Sequence, residues 1–404
     1  MTEKRKSPAL RFRGYTDDWE QRKLNRVADF YTGNGLNWND VLENGKQECI
    51  LYGNLYTDYG MIADTVVYRT NAEIKNPVFS EFGDVLIPAS DTTPTGLARA
   101  TSIEKSGVLL GGDINIVRPK KDINGSCLSL AINANKSELI KLIKGTTVRH
   151  IHNSEIQGIE ISLPTELKEQ EKLTSYFKQL DNLITLHQRK LEKLKLVKKS
   201  MLEKMFPKNG SSVPEIRFNG FTDDWEQRKL GEVAKYRNGK AHENCIDENG
   251  KYIVVNSKFV STDGEIKKFS NMQNEALFEN EIAFVLSDVP NGRAIARTFL
   301  VEKSDKYTLN QRIAGITPLN ESYPYFLYIL MNRHPYFLAF DDGAKQTNLS
   351  VSDVMGFEAF YPKYAEQKKI GDYFERLDNL ITLHQRKVEK LQIMKKSMLE
   401  KMFV

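Results

Sequence analysis

The 404-residue sequence is poor in cysteine and has no long apolar run. Its three cysteines, Cys49, Cys127 and Cys245, are odd in number and far apart, which argues against a disulfide framework and a structural zinc site. No apolar stretch approaches the ~20 residues that a helix needs to cross a bilayer. The charged residues 1–6 are not followed by the apolar core of a signal peptide, so we expect a cytoplasmic protein without a membrane partner.

Motifs of two enzyme classes are also missing from the sequence. There is no GlyXaaXaaXaaXaaGlyLys phosphate loop, so we do not expect ATP hydrolysis by this chain. A DNA methyltransferase would need a glycine-rich cofactor turn and an Asn or Asp followed by ProPro and an aromatic residue. The nearest approach, AspValProAsnGly at 288–292, is better interpreted as a turn. HisIleHis at 150–152 lacks a third ligand, so we predict no metal site and no catalytic residue.

The composition says little about which class of partner the protein binds. Apolar residues make up 40% of the chain and charged residues 27%, which is ordinary for a soluble globular protein. The net charge of +5 is compatible with nucleic acid, but many proteins without such a partner are equally basic. The function therefore has to be inferred from the organisation of the chain.

That organisation is an internal repeat. Residues 176–206 recur as 373–403, and only six of the 31 aligned positions differ. A second block, ThrAspAspTrpGluGlnArgLysLeu, occupies residues 16–24 and 222–230. The chain is therefore two copies of one plan, which predicts two domains.

The segments inside the repeated blocks differ from each other. Residues 26–148 and 232–346 show no comparable similarity, so identical frames carry two different inserts. A catalytic duplication would be expected to repeat its chemical residues. A protein that recognises two different targets would instead keep the frame and vary the recognition surfaces.

The repeated 31-residue block belongs to a long predicted helix. Residues 168–205 contain no proline or glycine, and their apolar residues step by alternating four and three positions, as in a coiled-coil seam. We expect the two helices to pack as an antiparallel coiled coil with pseudo-two-fold symmetry, although a parallel pair has the same spacing. The predicted seam consists of Phe177, Leu180, Ile184, His187, Leu191 and Leu194 with Phe374, Leu377, Ile381, His384, Val388 and Leu391.

Each seam contains one histidine near its middle. In an antiparallel register His187 and His384 would lie close together. A polar seam residue usually fixes the register of a coiled coil, and we favour that interpretation over a proton switch or a metal pair. At 38 residues the first helix would be ~57 Å long and would act as a strut.

The inserts have the pattern of mixed α+β domains. AspValLeuIlePro at 84–88 and GluIleAlaPheValLeu at 281–286 predict strands, and residues 137–143 and 325–331 predict short helices. We predict an α+β protein with a globular domain at 1–163, a long helix at 164–206, a linker at 207–216, a second globular domain at 217–362 and a second long helix at 363–404.

Both inserts contain side chains suited to nucleic acid. Arg and Lys contact phosphates or guanine edges, Asn and Gln bind adenine, and Thr contacts the thymine methyl group. For any single residue, a solvated charge or a turn position is the simpler interpretation. The candidate DNA contacts are Arg69, Thr92, Thr93, Arg99 and Arg118 in the first insert and Lys240, Ser257, Lys258, Arg293, Arg297, Gln311 and Arg312 in the second.

The layout of the repeated motifs resembles that of a known family. GluGlnXaaLys followed by Leu or Ile leads into each long helix, at 169–173 and 366–370, and ThrAspAspTrpGluGlnArgLysLeu opens each half. Over essentially all 404 residues this order resembles the specificity subunit of bacterial type I restriction-modification enzymes. The resemblance implies that residues 25–163 and 231–361 are target-recognition domains, each reading part of a split, asymmetric double-stranded DNA site, with the helices setting the spacing.

The resemblance also implies partners. A specificity subunit is itself non-catalytic and works with modification (methyltransferase) subunits and restriction (motor and nuclease) subunits. These partners would hold the S-adenosylmethionine, ATP and Mg²⁺, so no cofactor is expected in this chain. Missing catalytic motifs are what this resemblance predicts.

One segment departs from the pattern. AlaLysGlnThrAsnLeuSer at 344–350 resembles a family signature, whereas ThrThrValArgHisIleHis stands at 146–152 in the first half. We therefore expect the first domain to return to its frame differently in detail.

A coiled-coil adaptor that binds two different proteins through its inserts is the alternative. A salt-dependent affinity for one duplex sequence would separate the two functions, because DNA binding releases counterions. A self-contained enzyme is least favoured, because its motifs are missing.

Overall fold

The computed structural model describes residues 7–208 and 210–403. They divide into a first unit, residues 7–188 with 385–403, and a second unit, residues 189–384. Residues 1–6, 209 and 404, which belong to the predicted first domain, linker and second helix, lie outside the described residues. None of the described helices has the length and apolar character needed to cross a membrane.

The first unit contains a mixed set of short strands and helices. Its strands are β1 (Glu20–Lys23), β2 (Ala28–Thr32), β3 (Val41–Leu42), β4 (Gln47–Ile50), β5 (Ile62–Ala63), β6 (Tyr68–Thr70), β7 (Asp84–Pro88), β8 (Ser90–Asp91), β9 (Thr101–Ile103), β10 (Leu109–Leu110), β11 (Ile114–Pro119), β12 (Arg149–His150) and β13 (Glu160–Leu163). Its short helices are α1 (Leu24–Val27), α2 (Asn54–Thr57), α3 (Pro94–Leu97), α4 (Gly125–Ala134), α5 (Lys136–Leu142) and α6 (Asn153–Ile156), with a 3-10 turn at Trp38–Asp40. The long helix α7 (Leu167–Lys204) follows.

The second unit is built from the same kinds of element. Its strands are β14 (Glu226–Lys229), β15 (Ala234–Asn238), β16 (Tyr252–Val255), β17 (Phe269–Ser270), β18 (Ile282–Val285), β19 (Ser287–Asp288), β20 (Thr298–Leu300), β21 (Tyr307–Leu309), β22 (Ile313–Pro318), β23 (Thr347–Asn348) and β24 (Glu358–Tyr361). Its short helices are α8 (Leu230–Val233), α9 (Ser257–Ser261), α10 (Pro324–Met331), α11 (Pro335–Leu338) and α12 (Val351–Met355), with a 3-10 turn at Glu243–Cys245. The chain closes with the long helix α13 (Tyr364–Phe403).

The predicted elements are present, and the class is the predicted α+β. Residues 84–88 form β7, and all five are buried, which explains the continuous apolar run at 85–88. Residues 281–286 contain β18, and the predicted helices correspond to α5 and α10. The long helices begin and end within three residues of the predicted limits, because their periodic pattern ends there. The division of the chain into domains at these limits stays a prediction.

The two inserts share one strand order despite their unrelated sequences. In the first unit a five-stranded sheet runs β2-β11-β7-β9-β5, and in the second a four-stranded sheet runs β15-β22-β18-β20. In each, the long central strand is antiparallel to both of its neighbours. A second small sheet contains a parallel pair, β10 with β4 in one unit and β16 with β21 in the other.

The repeated GluGlnArgLys segments join the two ends of each insert. They form β1 and β14, which pair antiparallel with β13 and β24, the strands that lead into the long helices. The preceding Trp19 and Trp225 are buried. The Trp19 ring packs edge-on against Phe403 at the end of α13, and the Trp225 ring packs edge-on against Phe206, just after the end of α7. The repeated block is therefore a structural frame.

Within the first unit the start of α7 packs against the end of α13. Leu173 and Phe177 share a buried core with Met402 and Phe403, and Lys395 forms an ion pair with Asp181. Residues further along α7 therefore contact residues nearer the start of α13, so these parts of the two helices run antiparallel.

Within the second unit the end of α7 packs against the start of α13 in the same sense. Leu194 and Met205 share a core with Ile370 and Phe374, and Lys198 forms an ion pair with Asp378. Of the predicted seam residues, ten are buried or half-buried apolar side chains, and His187 and His384 are half-buried. The register of the whole seam stays a prediction.

The GluGln pair at the start of each long helix forms a buried joint. In the first unit Glu169 accepts two hydrogen bonds from the Arg11 guanidinium, at 2.6 and 2.7 Å. The Gln170 side chain accepts a hydrogen bond from the backbone N–H of Asn124 and donates one to the Pro164 carbonyl. The joint ties together the N-terminal segment, the helix and the insert residue that caps α4.

The second unit repeats this joint with other insert residues. Arg217 donates two hydrogen bonds to Glu366, at 2.6 and 2.7 Å. Gln367 accepts from the backbone N–H of Tyr323, the residue before α10, and donates to the Pro362 carbonyl. The hydrogen bond with the carboxylate raises the pKa of Arg11 and of Arg217 above the ordinary arginine value.

Arg11→Gln is expected to destabilise the protein much more than Arg13→Gln. Arg11 is the partner of the almost fully buried Glu169, and an uncompensated buried charge costs about 3–5 kcal/mol. Arg13 is exposed and forms no ion pair among the described residues, so its loss should change the free energy of unfolding by less than about 0.5 kcal/mol. Urea unfolding of both variants measures the difference. Equal stability of the two variants would contradict the structural role of the joint.

Candidate nucleic-acid interface

In the second unit, the loops that carry the candidate residues meet at one end of the sheets because of the directions of the strands. β15 and β18 finish where the antiparallel β22 begins, since Asn238 pairs with Ala314 and Val285 with Ile313. The smaller sheet ends at the same place, because the Asn310 N–H donates to the carbonyl of Val255. We call this region the second loop end: residues 239–245, 256–263, 286–297, 310–312 and 343–350.

All seven DNA-contact candidates of the second insert lie in the second loop end. They are Lys240, Ser257, Lys258, Arg293, Arg297, Gln311 and Arg312. Among the described residues, Lys258, Arg293 and Arg312 form no ion pair, so their charges are available to a ligand.

Other members of the set have protein partners. Lys240 lies 3.0 Å from Glu275, and Gln311 donates to Glu243 at 2.9 Å. His242, beside Lys240, is buried, and burial lowers its pKa below the ordinary histidine value. It is therefore neutral at pH 7 and contributes no positive charge to this surface.

Asp288 fixes the largest loop of this end. Its carboxylate accepts hydrogen bonds from the backbone N–H groups of Val289, Ala294 and Ile295, at 2.9, 2.6 and 3.1 Å. Gly292 lies against it, because a Cβ there would stand 2.1 Å from a carboxylate oxygen. The AspValProAsnGly segment is thus a turn, as predicted, and it presents Arg293.

The segment 344–350 also belongs to this end. β23 pairs with β19, and the Gln346 side chain donates to the Ser287 hydroxyl at 2.7 Å. Asn348, opposite Ser287, is exposed. Gln346 and Asn348 were absent from the predicted set, although the resemblance of this segment to a family signature was a signal for them.

The corresponding end of the first unit holds three of its five candidates. Thr92, Thr93 and Arg99 lie in the connection from β7 to β9, at the end where β11 begins. The Thr93 hydroxyl accepts from the Gly96 N–H and caps α3. We call this region the first loop end: residues 33–37, 51–58, 89–99, 111–113 and 149–153.

Arg69 and Arg118 lie elsewhere. Arg118 is at the opposite end of β11, where it donates two hydrogen bonds to the buried Asp84, at 2.9 and 2.8 Å, and one to Glu81. Arg69 contacts Glu48 in the smaller sheet at 3.2 Å. Both have structural roles in the free protein, and their contact with DNA stays a prediction.

The first domain returns to its frame along the same backbone path as the second. β12 pairs with β8 as β23 pairs with β19, and the Ile151 N–H donates to the Ala89 carbonyl as the Leu349 N–H donates to the Leu286 carbonyl. The difference is local: in the first domain His150 also exchanges two backbone hydrogen bonds with Lys144. The different side chains of this segment include Arg149, which was not among the predicted residues.

The HisIleHis segment at 150–152 is the place where the sequence comes nearest to a metal site. The rings of His150 and His152 stack with centroids 6.1 Å apart. Within residues 7–208 and 210–403, no three His, Cys, Asp or Glu side chains come together as metal ligands.

Two family-model matches cover most of the chain. The family of the type I restriction modification DNA specificity domain matches residues 16–196 and again residues 222–392. The chain belongs to this family. The predicted role, that of a specificity subunit of a type I restriction-modification system, is thereby confirmed.

Relatives and solved structures agree with this assignment. The specificity subunit of the type I restriction enzyme MjaVIII from Methanocaldococcus jannaschii is 23% identical, over 95% of this chain and 91% of the relative. The fold matches a crystal structure of the S subunit from M. genitalium with a TM-score of 0.69 at 16% identity, covering 98% and 99% of the two chains. A second structure, from a study of assembly of the type I R-M system, has a TM-score of 0.52 at 14% identity, covering 95% and 97%.

The two specificity domains place one arginine at the same position. Arg99 precedes Ala100, whose N–H donates to the Asn133 side chain, and Arg297 precedes Thr298, whose N–H donates to Asn332, both at 3.3 Å. Arg99 and Arg297 are thus equivalent in the shared topology. The sequence carries a short signal of this equivalence, because AlaArg is followed at the same distance by GluLysSer in both inserts, at 98–106 and at 296–304.

Asp288→Ala is expected to loosen the loop at 289–295 without unfolding the sheet. The substitution removes one acceptor from three backbone N–H groups, each bond contributing about 1 kcal/mol. Hydrogen exchange of amides 289, 294 and 295 should therefore become at least ~5-fold faster, while exchange in β22 is unchanged. Asp224→Ala, an exposed aspartate of the repeated frame, is the control. Unchanged exchange at all three amides would contradict the role of Asp288.

Proposed function

We propose that this specificity subunit reads a bipartite, asymmetric DNA site, one part with each loop end. The observation that carries the proposal is the shared strand order with different polar side chains at equivalent ends. Thr92, Thr93 and Arg149 occupy the first end, and Arg293, Gln346 and Asn348 the second. Side chains of these types recognise phosphates and base edges.

We further propose that α7 and α13 form an antiparallel coiled coil with pseudo-two-fold symmetry, which sets the distance between the two half-sites. The antiparallel contacts inside each unit support this arrangement. Lys395 with Asp181 and Lys198 with Asp378 are the same ion pair in the two copies of the repeat. Each pair also adds a specific partner across the largely apolar seam, which favours one register.

The chain is proposed to be non-catalytic and to leave methyl transfer and cleavage to modification and restriction subunits. Its sequence lacks the motifs for both reactions. S-adenosylmethionine, ATP and Mg²⁺ would be held by those partners. The chain would then select the DNA sequence at which the partners act.

A repeated apolar surface on the long helices supports the docking of modification subunits. Each unit exposes three large apolar side chains that are copies of the three in the other unit. Exposed apolar groups of this size commonly mark protein interfaces. The surface consists of Leu183, Leu186 and Ile393 in the first unit and Leu380, Leu383 and Leu196 in the second, with Ile393 being 70% exposed.

Leu186→Glu should remove one bound modification subunit and leave the other. A charge placed in an apolar interface costs at least ~2 kcal/mol of binding, or roughly 30-fold in affinity. Leu383→Glu should do the same at the second copy, and the double variant should bind neither subunit. Mass photometry of the mixed subunits measures the stoichiometry. Val67→Glu, which changes an apolar side chain that is 62% exposed on the first insert, is the matched control.

Docking elsewhere would give a different result. If both single variants and the double variant assemble like the Val67→Glu control, the repeated leucine surface is not the docking site.

Exchange of residues 25–163 for the corresponding segment of another family member should change only one half of the recognised sequence. The frame strands and the Glu169 joint lie at the edges of that segment, so the second domain is untouched. Single-molecule sequencing of methylated DNA, from a host without other such systems that expresses the chain with its modification subunits, reports the motif.

Two outcomes of this measurement would count against the proposal. A change in both halves would contradict independent reading by two domains. No methylated motif from a fully assembled complex would instead favour an adaptor that binds two different proteins.

A further inference from the structure

The first loop end contains an open pocket that none of the functions above explains. It has a volume of about 430 Å³ and lies between the β7–β9 connection and the start of α5. Its walls are formed by Tyr56, Asp91, Thr93, Gly96, Arg99 and Lys136.

The two cations of this pocket have no acidic partner. Among the described residues, neither Arg99 nor Lys136 lies within 4.0 Å of a carboxylate oxygen. The Arg99 guanidinium donates to the Tyr56 carbonyl at 2.6 Å and makes no other hydrogen bond in the described part of the chain. Most of its five N–H donors are therefore available to a ligand.

The surroundings concentrate positive charge in the pocket. Burial lowers the pKa of Arg99 below the ordinary arginine value. Burial, followed by the nearby charges of Arg99, Lys395 and Lys396, lowers the pKa of Lys136. Repulsion between half-buried cations destabilises the empty pocket, and a bound anion would relieve it.

The one carboxylate in the wall is already engaged. Asp91 accepts hydrogen bonds from the Thr92 N–H at 2.5 Å and from the Thr93 hydroxyl at 3.1 Å. It also packs against Gly96, where no Cβ would fit. Asp91 thus shapes the loop around the pocket and does not pair with either cation.

We propose that Arg99 and Lys136 together bind one phosphate of the DNA backbone beside the half-site read by the first domain. The inference rests on the proposed DNA-reading function and assigns Arg99 to positioning the duplex and not to base recognition. A guanidinium fork and an ammonium group are the usual ligands of a phosphate. Such contacts fix the register of a protein on DNA without reading its sequence.

The described part of the second unit has the equivalent arginine without a second cation beside it. Arg297 donates to the Arg293 carbonyl and lies 3.8 Å from Asp263. The residue that begins the short helix after α10 is Pro335, where the first unit has Lys136. The phosphate contact is therefore a property of the first domain alone.

Salt-dependent DNA binding by the chain assembled with its modification subunits tests the proposal. Fluorescence anisotropy compares the wild type with Arg99→Gln, Lys136→Gln and the charge-retaining Lys136→Arg, using a duplex with the methylated motif and an unrelated duplex. Lys121→Gln, an exposed lysine just after the opposite end of β11, is the control. Each loss of charge should weaken binding to both duplexes by the same factor, about 10-fold. It should also make the negative slope of log K against log salt shallower by about one. Lys136→Arg should behave like the wild type.

Other results would overturn the phosphate contact. Loss of affinity for the motif duplex alone, or a changed methylated motif, would make Arg99 a base-reading residue. Affinities equal to those of the Lys121→Gln control would show that no phosphate binds here. Reduced affinity with an unchanged salt slope would indicate a folding defect.

Two further measurements complete the test. One distinguishes a free anion from a phosphate of DNA, and the other tests the proposed DNA-reading function by itself. If inorganic phosphate raises the melting temperature of the wild type, but not of Arg99→Gln, while DNA affinity is unaffected by the substitution, the pocket binds a free anion and the proposal is wrong. If the wild-type complex does not prefer its motif duplex, the DNA-reading function itself fails, independently of the variants.

Discussion

The ion pair between a buried glutamate at the start of each long helix and an arginine from the preceding frame is the contact on which the rest depends. Glu169 and Glu366 are almost fully buried, and a carboxylate so placed needs a charged, hydrogen-bonded partner. Arg11 and Arg217 supply it with two hydrogen bonds each. The adjacent glutamine accepts a hydrogen bond from the residue just before an insert helix, so frame, insert and long helix meet at one point.

This joint leaves the opposite end of each sheet free to vary. In the first unit the joint contacts Asn124, just beyond the end of β11, whereas the loop end lies at the start of that strand. The six residues of β11 therefore separate the part that holds the fold together from the part that carries the candidate DNA contacts. Substitutions in the loops can change recognition without reaching the buried carboxylate, which is why one frame can hold two unlike inserts.

The periodic elements were predictable from the sequence, and the pairings between distant segments were not. The long helices follow from a regular apolar spacing, and β7 follows from a continuous apolar run. The shared topology was hidden, because a buried strand needs only apolar side chains of suitable size, which different sequences supply. Arg118 illustrates the limit for single residues. Its partner Asp84 is 34 positions away, so residue type alone did not reveal the ion pair that Arg118 forms in the fold, while its contact with DNA stays a prediction.

The equivalent arginines show how one scaffold yields two different surfaces. The asparagine that fixes the residue after Arg99 and after Arg297 is common to both domains, so the backbone position of the arginine belongs to the scaffold. The charged side chains around the arginine differ. Lys136 adds a second positive charge near Arg99, whereas Asp263 offsets the positive charge of Arg297. A guanidinium next to another cation attracts a phosphate, whereas one beside a carboxylate is partly neutralised. The chemistry at each loop end is therefore set by the side chains around a shared position, and an asymmetric recognition site follows from a repeated frame.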